Sequence, residues 1–345
     1  QRYAYARYIT NLNYINSITM NLIVKESYLV GKNKAVILLK FVAALLITYS
    51  HMGELFPKYG SLVTGGAIGD GLFFFCSGFT LFIGRKDSFP NWYKRRISRI
   101  YPTIVMWALL STMFFGWEWS MTDIVITPRY WFIPCIMVYY VMFYLIRVYM
   151  FKCLEWAFVI VAGIVLISYF FVLDLNSSVM YADITYMRIY YFCFMLLGAV
   201  VAIRKRREVG FMKSLGYVSV GLISYYVCMG LYKVNPFFCR FQLVSLVPLL
   251  FMIYWMYCFC EVPVVQKILE KKVGAMIYFI SCLTLEIYMV QYAVFTDKLN
   301  GIFPINIILI YVIIIVVAYL LKCASKLFLQ VFSDQPLSWR KLYQI

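Results

Sequence analysis

Lys40, His51 and Glu286 stand inside otherwise apolar stretches of a 345-residue chain. Titratable groups are costly in hydrocarbon, so each is a candidate for chemistry. Lys40 and His51 share one stretch. Their separation of eleven residues is three helical turns, which sets them on nearly the same face with the imidazole roughly 16 Å beyond the ammonium. An imidazole, whose ordinary pKa is about 6.5, suits general-base work near neutral pH. The structural alternatives are a lysine that snorkels to the nearest interface and a histidine packed beside Tyr49 and Glu54. Glu286 has Cys282, Met289 and Val290 as its helical neighbours, so no cation on its own helix neutralises it. Its partner must come from elsewhere: Lys40 as an ion pair, His51 as an imidazole to be oriented, or a neutral hydrogen-bonding group.

A second cluster lies between residues 91 and 102, which read Asn-Trp-Tyr-Lys-Arg-Arg-Ile-Ser-Arg-Ile-Tyr-Pro. In a helix, Arg95 and Arg96 meet Arg99 at i, i+4 and i, i+3. Guanidinium forks bind phosphate bidentately, and Trp92, Tyr93 and Tyr101 offer rings for a purine to stack on. A topological anchor flanked by interfacial aromatics explains the same residues equally well. Between the two clusters, the glycine-rich stretch 65–79 contains Ser77-Gly78, a small patch among phenylalanines where another helix or a narrow ligand lies close to the backbone.

The elements that position these residues are membrane helices. The chain is 64% hydrophobic and 14% charged, with mean hydropathy +0.80, whereas soluble proteins are roughly a quarter charged. Disorder, a nucleic-acid-binding domain and a disulfide-stapled module are excluded, since too little polar surface remains to solvate them. Ten apolar stretches of spanning length are predicted, near residues 35–52, 68–84, 101–116, 130–146, 156–173, 189–203, 215–232, 241–259, 275–295 and 305–321. Short loops make them one all-α integral membrane bundle. With the first segment cytoplasmic, 25 of the 32 lysines and arginines fall in cytoplasmic segments, so the positive-inside rule puts both termini in the cytoplasm. This topology, with anionic lipid, accounts for the net charge of +17 without a polyanionic partner. A single histidine and no grouped ligands argue against a metal site. The ten cysteines lie mostly in apolar runs without a C-x-x-C pair and read as inert thiols. Residues 1–30 are expected to be an extension, with Met20 the native start and residues 1–19 not native, and residues 326–345 a short basic cytoplasmic tail.

Lys40-x10-His51, Phe73-Phe74-x-x-Ser77-Gly78-Phe79, Arg96-x-x-Arg99-Ile100-Tyr101-Pro102, Trp131-Phe132 and Glu286-Ile287-Tyr288, in this order over residues 32–295, resemble membrane acyltransferase family 3, the bacterial integral-membrane sugar O-acyltransferases. The resemblance implies that residues 31–325 form a ten-helix acyltransferase domain of the bacterial inner membrane. Such an enzyme takes an acyl group, usually acetyl, from cytoplasmic acyl-CoA and places it on a hydroxyl of a cell-envelope glycan or lipid-linked sugar. It is surrounded by membrane lipids, with no permanently bound cofactor and no nucleic acid. The family's basic-x10-His motif falls on Lys40 and His51, and its Arg-x-x-Arg motif on Arg96 and Arg99. Lysine stands at Lys40 where arginine is common, and Gln291 where many members have histidine. On this reading His51 is the base, Lys40 pairs with the diphosphate or polarises the thioester, and Glu286 supports one of them. Arg95, Arg96, Arg99 and Tyr101 hold the nucleotide end. The competing expectation is a polysaccharide or lipid-linked sugar transporter or flippase. Transporters commonly show a two-fold hydropathy repeat with interrupted helices in corresponding halves, and none is visible here.

Overall fold

A computed structural model describes residues 23–24, 28–85, 87–126, 129–175, 179–204 and 208–345. The expected start at Met20, most of the extension 1–30, and the basic residues Lys86, Lys205, Arg206 and Arg207 lie outside the described residues.

A chain in hydrocarbon must satisfy its backbone internally, and every apolar run here does so as helix. The principal helices are α1 Lys34–Ser50, α2 Gly66–Ile83, α3 Phe89–Phe115, α4 Phe132–Tyr149, α5 Leu154–Val172, α6 Ile184–Ile203, α7 Phe211–Val234, α8 Leu246–Glu261, α9 Lys272–Ser281, α10 Thr284–Val294 and α11 Ile305–Val331. Among the described residues there is no strand. Eight of these helices, α2 to α8 and α11, are long and apolar enough to cross a membrane, and α9 with α10 makes up to nine. Helix α1 is shorter, at 17 residues.

Three departures from the sequence reading shape the site. The ninth stretch is not one helix: α9 and α10 meet at a 76° bend. Ser281 donates back to the Tyr278 carbonyl at 2.7 Å, and Cys282 N–H is shared between the Tyr278 and Phe279 carbonyls, which closes α9 locally instead of extending it. The third helix begins at Phe89, twelve residues before the expected start at Tyr101, so the arginine stretch is continuous with it. Pro102 sits in its interior and leaves the Ser98 carbonyl without its helical donor. Finally α11 runs on to Val331, so that Lys322 and Lys326 are helical and part of the predicted tail is membrane helix. The rest folds back: Lys326 bonds the Gln344 carbonyl, and the Tyr319 hydroxyl donates to the Tyr343 carbonyl at 2.8 Å.

The Ser77-Gly78 patch is filled by another helix. A Cβ on Gly78 would lie 1.8 Å from the Met195 carbonyl oxygen, and one on Gly198 would lie 2.0 Å from that of Phe75. Helices α2 and α6 therefore cross backbone to backbone. On its other side α2 meets α1, where a Cβ on Gly69 would come within 2.7 Å of Ile47 and 3.1 Å of the Ala43 carbonyl oxygen. Asn33 caps α1 by accepting from Val36 N–H at 3.0 Å, and Gly65, with φ of +97°, turns the chain into α2. The end of the bundle that carries Lys34, Arg95 and Lys272 is termed the basic end below, and His51 lies at the opposite end of α1.

Candidate active site

At the basic end a cavity of about 780 Å³ opens between α1, α3, the α9–α10 bend and α11. Lys32, Lys40, Arg99, Lys322 and Lys326 line it, with Thr103 and Glu286. Ser98, Arg99, Pro102 and Thr103 face it together because residues three and four apart share a helical face. The other arginines of the predicted cluster do not join them. Arg95 pairs with Asp87, and its guanidinium holds that carboxyl below the usual carboxylate range. Arg96, one residue further round the helix, stacks at 4.9 Å over Trp92 and 5.9 Å over Tyr140. Tyr101 donates to the Val125 carbonyl at 2.7 Å, in the short helix Met121–Val125. Of the four residues expected to hold one ligand, Arg95, Arg96, Arg99 and Tyr101, the structure sets only Arg99 in the lining of this cavity. Asp87 partners Arg95, aromatic rings flank Arg96, and a backbone carbonyl takes the Tyr101 hydroxyl.

Glu286 is fully buried. It is paired, with Lys322 rather than with Lys40 or His51: Lys322 Nζ donates to Oε1 at 2.8 Å and Thr103 Oγ1 to the same oxygen at 3.2 Å. Oε2 has no partner. Sequence reasoning set Lys322 at a helix end, and the continuation of α11 brings it inward. The pair is asymmetric, since the Lys322 side chain is 28% exposed and that of Glu286 is 0%. Lys322→Ala is expected to destabilise the protein by roughly 3–5 kcal/mol, because it strands a buried carboxylate. Glu286→Gln should cost clearly less, since the lysine still reaches the cavity. Thermal unfolding in detergent checks this, and equal costs would show that stranding the carboxylate carries no penalty beyond loss of the pair.

His51 follows the last residue of α1. Its ring lies 5.1 Å from that of Tyr292, whose hydroxyl is 3.2 Å from Nδ1 and 3.1 Å from Nε2. A hydroxyl about equally far from both nitrogens can pair with either one, according to the tautomer. Tyr292 is on α10, six residues beyond Glu286. Both ends of α1 thus face the same neighbour: Lys40 shares the cavity with Glu286, and His51 meets Tyr292. The predicted common face of Lys40 and His51 is what permits this.

Tyr292 was not legible, because an imidazole's partner on a distant helix leaves no local signal. Asp70 was missed for another reason. It lies in α2 among glycines that read as a packing motif, although a carboxylate within a membrane helix is itself a signal. Among the described residues no group of three or more His, Cys, Asp or Glu gathers, and all ten cysteines are free.

The model of the Acyltransferase domain of family 3 matches residues 33–323. No curated protein and no solved structure matches the chain. The match begins at the cap of α1 and ends within α11, taking in Lys40, His51, Arg99, Glu286 and Tyr292, and the chain belongs to acyltransferase family 3, as a membrane acyltransferase.

Proposed function

We propose that the protein moves an acyl group, normally acetyl, from acyl-CoA held in the basic cavity to a hydroxyl of a cell-envelope glycan or lipid-linked sugar presented at His51. The observation that carries this reading is the link made by α1 and α10. One helix pair joins a cation-lined cavity, with Lys40 and Glu286, to an imidazole with a hydroxyl partner, His51 and Tyr292. Counting α1 and the bent pair as spans gives ten, and the excess of lysine and arginine at the basic end supports a cytoplasmic position for it and for both termini, in a bacterial inner membrane.

Coenzyme A carries a diphosphate and a 3′-phosphate, and Arg99, Lys32, Lys322 and Lys326 supply charge-assisted donors for them. Lys40, deepest of the cations along α1, pairs with the diphosphate. His51 takes the proton of the acceptor hydroxyl as its oxygen adds to the thioester carbon. The carbon–sulfur bond then breaks, and the departing CoA sulfur takes up a proton from the imidazolium. Tyr292 holds the ring during both transfers. The cavity lining ends at Lys40 and Glu286, so the pantetheine arm must bridge the remaining three turns to His51.

Incubating the purified protein with acetyl-CoA and an envelope glycan extract should release CoA and label the glycan. Transport of a lipid-linked sugar is the second reading, favoured by the bent pair α9–α10. It predicts sugar movement in proteoliposomes without CoA release. Within the acyl-transfer reading, Arg99→Ala should raise the KM for acetyl-CoA about tenfold to a hundredfold, as one charge-assisted phosphate contact is worth about 1.5–3 kcal/mol. Arg99→Lys should restore part of it, lacking the fork. An unchanged KM would return Arg99 to a role in topology.

A further inference from the structure

Around His51 the bundle holds polar groups for which the reaction above has no use. Asp70 projects from α2 one residue after Gly69, whose close fit against Ala43 and Ile47 fixes that part of the helix to α1. It lies within electrostatic reach of Tyr191, Tyr190, Tyr288 and Tyr292. Although enclosed by these helices, Asp70 keeps partial accessibility, as do Phe73, Trp131 and Tyr288, and Tyr292 is 43% exposed. Accessible surface on residues that face one another inside a bundle means a crevice.

Below these groups the polar inventory does not close. Gln291 is 0% exposed and neither its Oε1 nor its Nε2 has a partner. The hydroxyls of Tyr190 and Tyr191, both also 0% exposed, stand next to each other and Tyr191 next to Asp70, as Gln291 stands next to Tyr292, but none of these contacts has the geometry of a completed bond. Buried polar atoms are normally satisfied, and an unmade bond carries the full desolvation penalty of the group. Two hydroxyls and an amide with incomplete bonds, near Asp70 and Tyr292, leave bonding capacity for a polar partner from outside. The walls define its shape. Trp131 stacks on Tyr191 with centroids 5.8 Å apart at 26°, and Tyr288 packs edge-on to Phe132. Aromatic faces are electron-rich and attract polarised C–H groups, while a carboxylate and a primary amide bond adjacent hydroxyls with two acceptors and with one acceptor and two donors, respectively. A pyranose ring presents both kinds of surface, and Asp70 disfavours an anionic ligand.

We infer that Asp70, Tyr191 and Gln291 form the hydroxyl-binding floor of the acceptor site, which takes a neutral sugar ring between Trp131 and Tyr288 and presents one of its hydroxyls to His51 beside Tyr292. The inference rests on the acyl-transfer reading and adds the residues that select the acceptor. Asp70→Asn keeps the shape and removes the charge, and Tyr191→Phe removes one hydroxyl.

The test measures transfer of labelled acetyl from acetyl-CoA to an envelope glycan extract of cells lacking the protein, with each substrate varied in turn. Asp70→Asn is expected to raise the half-saturating glycan concentration about tenfold or more, and Tyr191→Phe severalfold, while half-saturation for acetyl-CoA stays within twofold. A purely structural role would shift both substrates alike or neither. Unchanged glycan saturation in both variants, with an active wild-type protein, overturns the acceptor floor alone. A wild-type protein that transfers no label overturns the acyl-transfer reading and the inference with it.

Discussion

Replacing His51 with alanine is expected to lower acyl transfer by about 10²–10⁴-fold, the usual contribution of a positioned general base. The chain has no other histidine to substitute for it. Insertion and folding should survive, because the ring sits at a helix end and, among the described residues, the Tyr292 hydroxyl is its side-chain hydrogen-bond partner. Tyr292→Phe removes that hydroxyl and keeps the ring packing, so it should cost less, up to about tenfold, in line with one neutral hydrogen bond. CoA release by purified variants that elute as the wild type does on size exclusion provides the measurement. More than about a tenth of wild-type activity in His51→Ala would remove the imidazole from the reaction.

A large effect on stability is expected far from the chemistry. Gly78→Ala or Gly198→Ala places a methyl group where the facing backbone already stands, 1.8 Å from the Met195 oxygen or 2.0 Å from that of Phe75. No rotamer relieves such a clash, since both partners are main chain, so α2 and α6 must separate. Overpacking of this kind costs about 1–3 kcal/mol and more when backbone has to move. Close small-residue crossings are also a main source of cohesion in membranes, where lipid competes equally for apolar contact. Both variants should lose thermal stability in detergent, and the double variant should not be recovered as folded protein. Gly163→Ala, at a position with nothing within 4 Å of the added carbon, serves as the control. A Gly198→Ala protein as stable as this control would mean that the crossing is looser than described.

These two cases mark how far the sequence could be read. Apolar length and charge bias located the long helices, since in hydrocarbon both are strict requirements. The common face of Lys40 and His51 followed from helical period alone, and the patch at Ser77-Gly78 announced a close approach without naming what approaches. The break after Ser281 has neither proline nor glycine to betray it. The ion pair of Glu286 depended on where α11 ends, and a run of isoleucine, valine and leucine gives no stop signal before Lys322. Arg95 and Arg96 illustrate a different limit: period put them beside Arg99, but Asp87, Trp92 and Tyr140 offered nearer partners. Period reports which residues can share a face. It is silent on which of them find a stronger neighbour.

The floor of the basic cavity has an electrical consequence. Between Lys40, at that floor, and His51, beside the exposed ring of Tyr292, α1 buries Ala43, Ala44 and Thr48. In the proposed arrangement a membrane potential falls mainly across the layer between the acyl-CoA cavity and His51, roughly 16 Å along α1 instead of the full bilayer core of about 30 Å. The field inside it is correspondingly steeper. Each unit of charge carried through would do or require about 2.3 kcal/mol of electrical work per 100 mV. An acyl group is neutral and crosses that layer at no electrical expense, whereas the phosphates of its carrier would meet the whole potential. In the proposed reaction the nucleotide stays on one side of the dielectric and the glycan on the other, and only the uncharged fragment changes compartment.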